Sequence, residues 1–94
     1  MPYRAVRRPT LTAADADAFA RELAALRAAA DPDLALDLSA VEYLASAALA
    51  RFVVLDWEVR ACGGRLFLVN LRPDVLRVFA ACRLDRVLDV RAAA

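Results

Sequence analysis

Ser46 stands alone as a hydroxyl at the head of a 17-residue stretch, 46–62, that contains neither Gly nor Pro. A hydroxyl at a helix entrance can accept a hydrogen bond from an unpaired backbone N–H, so the plain reading of Ser46 is a helix cap. A second hydroxyl, Ser39, lies in the preceding bend and reads as a turn residue. Two carboxylates, Asp37 and Glu42, flank that bend, but their local spacing does not make them an acid–base pair. The chain has no His, which removes the usual general base and the commonest metal ligand. Cys62 and Cys82 are twenty positions apart with no CxxC, and read as buried free thiols. The Gly63-Gly64 pair follows a helical pattern rather than preceding one, so it is no phosphate-cradling loop. An enzyme is the least favoured class, and no cofactor is expected.

The elements around Ser46 follow from periodicity. Leu34, Leu36 and Leu38 alternate with Ala35 and Asp37, the signature of a strand. After the bend 39–45, Ala48, Phe52, Leu55, Val59 and Cys62 recur at helical spacing and predict a core stripe. Asp56 and Arg60, an i,i+4 pair, flank it on one side, and Arg51 and Glu58 on the other. Opposite the core lie Ala50, Val54, Trp57 and Ala61. A Val and a Trp on that face predict a contact surface, with Val54 and Trp57 at its centre. Gly63 and Gly64 then stop the helix.

Upstream, residues 3–8 form a weak strand candidate ended by Pro9, and Thr12-Ala13-Ala14-Asp15 resembles a capping box. Phe19, Leu23, Leu26 and Ala30 mark one face of a helix ending at Asp31-Pro32. Downstream, Arg65–Asn70 reads as a strand apolar on both faces, with Leu66, Leu68 and Asn70 on one of them. Pro73 opens a third helix whose apolar face is Val75, Val78, Phe79 and Cys82. The run around Val87–Val90 is a last strand or a single helical turn. Strands alternating with helices predict an α/β fold, a single small domain over 1–94.

Composition narrows the class further. The 94 residues carry 13 basic and 12 acidic side chains, a formal charge of +1, with no basic cluster beyond Arg7-Arg8. Nucleic-acid binding therefore has little electrostatic support. The 62% hydrophobic content is high, but charges interrupt every apolar run short of a bilayer span, so direct membrane insertion is not expected. The N-terminus lacks an apolar segment of the secretory kind, which predicts a cytoplasmic protein. Every basic residue is Arg, and with the Ala content this suggests a high-GC bacterial source.

The order Asp37-Leu38-Ser39, a bend, a helix, Gly63-Gly64-Arg65 and Leu84-Asp85-Arg86 resembles the STAS domain of bacterial anti-sigma factor antagonists, over roughly residues 10–90. The resemblance implies a mostly parallel sheet of about four strands with three to four helices. It also implies a regulatory binding module acting by partner switching in transcription. In that family the first Ser of the bend motif accepts phosphate from a serine kinase that is itself the anti-sigma factor, and Ser46 holds that position. The docking surface implied is Tyr43, Leu44, Ala45, Ser46, Ala47, Leu49 and Arg51, with ordinary packing the expectation for Leu44. Three departures stand out. Ala45 replaces the usual acidic residue, Ala47 a frequent second hydroxyl, and Ala48 the usual Gly, adding a methyl where a partner's backbone approaches. STAS-like proteins also pair constitutively with transporter ATPases, the alternative partner. Family members begin with two strands, whereas the residues before the first helix leave room for one. The resulting bare sheet edge, or the Val54–Trp57 face, is a candidate homodimer contact.

Overall fold

In the computed structural model, residues 3–7, 9–28 and 32–92 are described. Four parallel strands form the main sheet in the order β1 (Tyr3–Ala5), β3 (Leu34–Asp37), β5 (Leu66–Leu71), β6 (Asp89–Ala92). A smaller parallel pair joins β2 (Thr10–Leu11) to β4 (Tyr43–Leu44). Three helices, α1 (Ala16–Ala28), α2 (Ser46–Ala61) and α3 (Pro73–Ala81), complete the α/β fold, with 3-10 turns at Ala13–Asp15 and Leu84–Arg86. The run around Val87–Val90 leads into the last strand, and a 3-10 turn precedes it at Leu84–Arg86.

The two N-terminal strands correct the expectation of one. β1 pairs with β3 and is the edge strand of the main sheet, whereas β2 pairs with β4 in the smaller one, so the open edge of the main sheet lies on β1 rather than on β3. The strand candidate 3–8 ends at Ala5, and its last residue lies outside the described residues. In the 3-10 turn before α1, Asp15 takes the acidic place of the capping box and reaches back to Thr12, the return half of that motif. Thr12 N–H and Oγ1 both donate to Asp15 Oδ2, at 3.4 and 2.8 Å, and Asp15 N–H returns to the Thr12 carbonyl. The predicted end of this helix falls outside the described residues, as does Ala30.

One core joins all three helices to one face of the sheet. Leu34, Leu36, Leu66 and Leu68 meet Phe19 and Leu23 of α1, Phe52, Leu55 and Val59 of α2, and Val75 and Phe79 of α3. At its centre Phe52 packs edge-on against Phe19, ring centroids 5.3 Å apart, and tilted against Phe79 at 5.9 Å. The other face of the sheet carries no helix from this core. Tyr3, Ala35, Phe67 and Asp89 lie in register across it. Phe67 is half-buried there beneath the guanidinium groups of Arg65 and Arg91, 5.4 and 5.3 Å from the ring centroid. β5 is covered by helices on one side only, yet Val69 on the other side is 7% exposed and Phe67 half-buried, so the strand has no exposed residue, as its two apolar faces lead one to expect.

The buried helix stripes follow the predicted periodicity except at their ends. Ala48, Phe52, Leu55 and Val59 are buried as expected, but Cys62 and Cys82 are exposed, because each is the C-cap of its helix rather than its last inward turn. The expectation of buried thiols is corrected accordingly. Asp56, expected on the flank, is 2% exposed. Arg60 Nε at 2.9 Å supplies the ionic hydrogen bond that a buried carboxylate requires.

Candidate functional site

The bend between β3 and α2 lies at the carboxyl end of the central strands, the place where parallel sheets present loops for binding. Backbone hydrogen bonds hold it from the N-terminal side. The Pro9 carbonyl accepts from Glu42 and Tyr43 N–H at 2.7 and 3.2 Å, and the Leu11 carbonyl from Ala45 N–H at 2.7 Å. Those contacts create the β2–β4 pair.

Side chains hold the bend from within. Asp37 Oδ1 accepts from Ser39 N–H at 2.8 Å, and Oδ2 from Asn70 Nδ2 at 3.2 Å. Asn70 reaches it by adopting φ 58°, a left-handed conformation that Asn tolerates better than most residues. This breaks the alternation of β5, and the pairing with β6 shifts between Leu68 and Leu71. Leu71, not Asn70, consequently takes the next core position. Arg72 adds a third clamp: its Nε donates to the Ser39 carbonyl at 2.8 Å, and Nη1 lies 3.8 Å from Glu42 Oε1. Asp37 and Glu42, the two carboxylates that flank the bend, are thus members of a loop clamp.

The Ser39 backbone N–H, opposed by partial burial and assisted by the Ser39 and Asn70 side chains, holds the Asp37 carboxyl below its ordinary 3.8. A carboxyl whose value is depressed on folding contributes stability present above its unfolded value and lost as pH falls through the folded one. Acid titration of thermal stability should therefore show a loss below pH 3.8 that is smaller in Asp37→Asn. Equal acid slopes in the two proteins would remove Asp37 from the loop clamp.

The clamped bend delivers Ser46 to the first position of a 16-residue helix. The cap position is Ala45, extended at φ −85° and ψ 160°, and no side chain caps the helix. Ser46 is therefore not the N-cap, which corrects the plainest reading of that hydroxyl. Its side chain is exposed, and Tyr43 beside it is 55% exposed. Ala45 and Ala47 are half-buried. Leu44 and Leu49, each 5% exposed, belong to the core, so neither offers its side chain to a docked protein. Leu44 packs as expected, and Leu49 is a correction. Ala48 is likewise buried, at 1%, so its methyl points away from any partner. Arg51, half-buried, lies 3.9 Å from Asp17 of α1. Val54 and Trp57 are exposed on the outer face of α2. Among the described residues no cluster of ligating side chains fit for a metal occurs, and no helix is long and apolar enough to cross a membrane.

Residues 8–93 match the STAS domain family model, and the chain belongs to that family. Its fold is similar to that of a Thermotoga maritima protein described as a candidate anti-sigma factor antagonist (TM-score 0.78, 23% identity, 95% of this chain and 78% of that one). It is similar also to an anti-sigma-factor antagonist (STAS) domain protein of Planctomyces limnophilus (TM-score 0.80, 17% identity, 98% and 82%). A third likeness is to murine Solute Carrier 26 family member A9, an anion transporter in its inward-facing state (TM-score 0.73, 20% identity). That match covers 98% of this chain and 16% of the transporter. These are likenesses of fold. A comparison with curated proteins gave no match.

Proposed function

We propose that this STAS domain is a protein-binding regulatory module of the anti-sigma factor antagonist type, switched by phosphorylation of Ser46. The observation that carries the reading is the exposed Ser46 hydroxyl at the first position of α2, released from capping because Ala45 holds the cap. A phosphate there would meet the positive end of the helix dipole and the unpaired N–H groups of the first turn. It would add about −1.5 to −2 charges to the docking bend, enough to repel or block a protein seated on Tyr43 and Ala47. The unmodified form would bind the anti-sigma factor, a serine kinase, and release the sigma factor for transcription. The setting is the cytoplasm of a bacterium, and the domain itself performs no catalysis.

A second reading has Ala45 in its favour. With no acidic residue before Ser46, the acceptor lacks a group that the resemblance leads one to expect. In that reading the domain is a constitutive subunit of a transporter ATPase or signalling complex, and Ser46 is never modified. The transporter among the similar folds accords with it.

Capture from host lysate followed by mass spectrometry separates the two. Wild type and Ser46→Ala should retain a serine kinase of the anti-sigma type, and Ser46→Asp should lose it by about tenfold or more through charge placed at the contact. Equal capture of one transporter ATPase by all three proteins would replace the switch with the constitutive subunit.

A further inference from the structure

The outer face of α2 has the pattern of a helix made to pair with its own copy. Ala50, Val54, Trp57 and Ala61 recur at spacings of four, three and four, the a/d seam of a coiled coil. All four are exposed, Val54 at 44% and Trp57 at 67%. This seam is separate from the buried stripe of the same helix, so α2 is apolar on two opposite sides. Beside the seam, towards α1, Arg51 and Glu58 stand seven residues apart, at equivalent heptad positions of opposite charge.

We infer that this face binds a second copy of the chain, α2 against α2, antiparallel about a twofold axis. In an antiparallel pair, equivalent flanking positions of the two helices meet, so Arg51 faces Glu58 of the partner subunit, and the symmetry repeats the contact. In the same register Val54 lies level with Trp57 of the partner subunit, and Ala50 with Ala61 of the partner subunit. The indole then rests where Val54 forms the lip of a shallow groove against Ala20 and Ala24 of α1. Parallel pairing would instead set Arg51 beside Ser46 of the partner subunit and Glu58 beside Val53 of the partner subunit, so only the antiparallel arrangement brings the opposite charges together.

The intramolecular ion pairs extend across this contact rather than compete with it. Arg51 lies 3.9 Å from Asp17, and Arg27 Nε lies 2.8 Å from Glu58 Oε2. Both Arg51 and Glu58 keep about half of their side chains open, 41% and 46%. Pairing would make two strings of alternating sign, Asp17–Arg51 continued by Glu58–Arg27 of the partner subunit. This inference does not rest on modification of Ser46, since it concerns purified protein alone.

Sedimentation equilibrium up to millimolar concentration tests it, with Trp57, the only tryptophan, as a reporter. Wild type should rise from 10.2 kDa toward twice that mass, with Trp57 emission moving to the blue as the indole is buried. Arg51→Glu and Glu58→Arg should each self-associate at least about tenfold more weakly, because each places like charges at both contacts. Mixed in equal amounts, the two variants should form a heterodimer, since every cross-contact is again opposite in sign. Trp57→Ala should remain monomeric. A wild type that stays at 10.2 kDa throughout overturns the inference. So does a dimer that persists in Trp57→Ala, or two charge variants that fail to recover on mixing while each retains its helical circular dichroism.

Discussion

Gly64→Ala should unfold some 15 °C below wild type, while its neighbour Gly63→Ala loses far less. The two glycines serve different ends. Gly63 is the left-handed residue at φ 83° that closes α2, with its N–H bonded to the Arg60 carbonyl and that of Gly64 to the Val59 carbonyl. Open space surrounds the Cβ position of Gly63, so an alanine there meets only the conformational penalty of about 1–2 kcal/mol. At Gly64 an added Cβ would overlap the carbonyl group of Pro32. Relief requires backbone to move on one side or the other, and both sides are tied. Leu34 N–H bonds to the Arg65 carbonyl at 3.0 Å, and Arg65 N–H to Asp33 Oδ1 at 2.9 Å. The clash therefore opens the start of the β3–β5 pairing, on which the register of the central strands depends. About 3 kcal/mol, the upper range for overpacking, is the expected loss. At roughly 5 °C per kcal/mol for a domain of this size, that gives the predicted shift. Thermal denaturation of both variants is the check. A Gly63→Ala protein less stable than Gly64→Ala would show that backbone conformation, not close approach, governs this corner.

That corner was legible in the sequence only in part. The Gly pair after a helical stripe announced a stop, and Pro73 announced a start, because both act through local backbone geometry. Leu34, Leu36 and Leu38 announced their strand because alternation needs no partner to be seen. What escaped notice depends on contacts distant in sequence. β2 and β4 are two residues each, too short to show a period, and exist because the Pro9 and Leu11 carbonyls meet N–H groups more than thirty residues away. The left-handed turn at Asn70 belongs to a bond with Asp37, thirty-three residues earlier, and so Leu71 replaced it in the core. Its signal, an Asn closing an apolar run just before Leu-Arg-Pro, was present but unspecific. Arg72 was silent as well, since a charge before a proline reads as solvated until the Ser39 carbonyl is seen beside it. The position of Ser46 was readable, and its role was not. Whether the cap falls on Ser46 or on Ala45 is a matter of one residue, and it decides whether the hydroxyl is occupied or available.

Phe52→Ala should cost more stability than any other truncation within α2, about 3–5 kcal/mol. Phe52 is fully buried, and its ring touches those of Phe19 on α1 and Phe79 on α3, so it is the one side chain of α2 that binds both other helices aromatically. Removing it leaves a cavity bounded by two rings on separate helices, and closing that cavity would require both helices to shift together. Partial collapse is the expected outcome, at the high end of the range. The consequence reaches the bend, because Ser46 precedes Phe52 by six residues, under two turns of the same helix. With the anchor lost, the first turn of α2 is held only through Leu49, Ala48 and the Ala45–Leu11 hydrogen bond. Hydrogen exchange should therefore accelerate at the amides of residues 49–52, whereas Val54→Ala, an exposed truncation on the same helix, should leave them unchanged. Comparing the variants by urea denaturation and exchange separates two accounts of the site. If Phe52→Ala lowers global stability but leaves exchange at 49–52 in step with the rest of the core, the bend is held by its own clamp of Asp37, Asn70 and Arg72. If the first turn opens ahead of the core, the placement of Ser46 depends on the aromatic centre, and core packing and partner docking are energetically coupled.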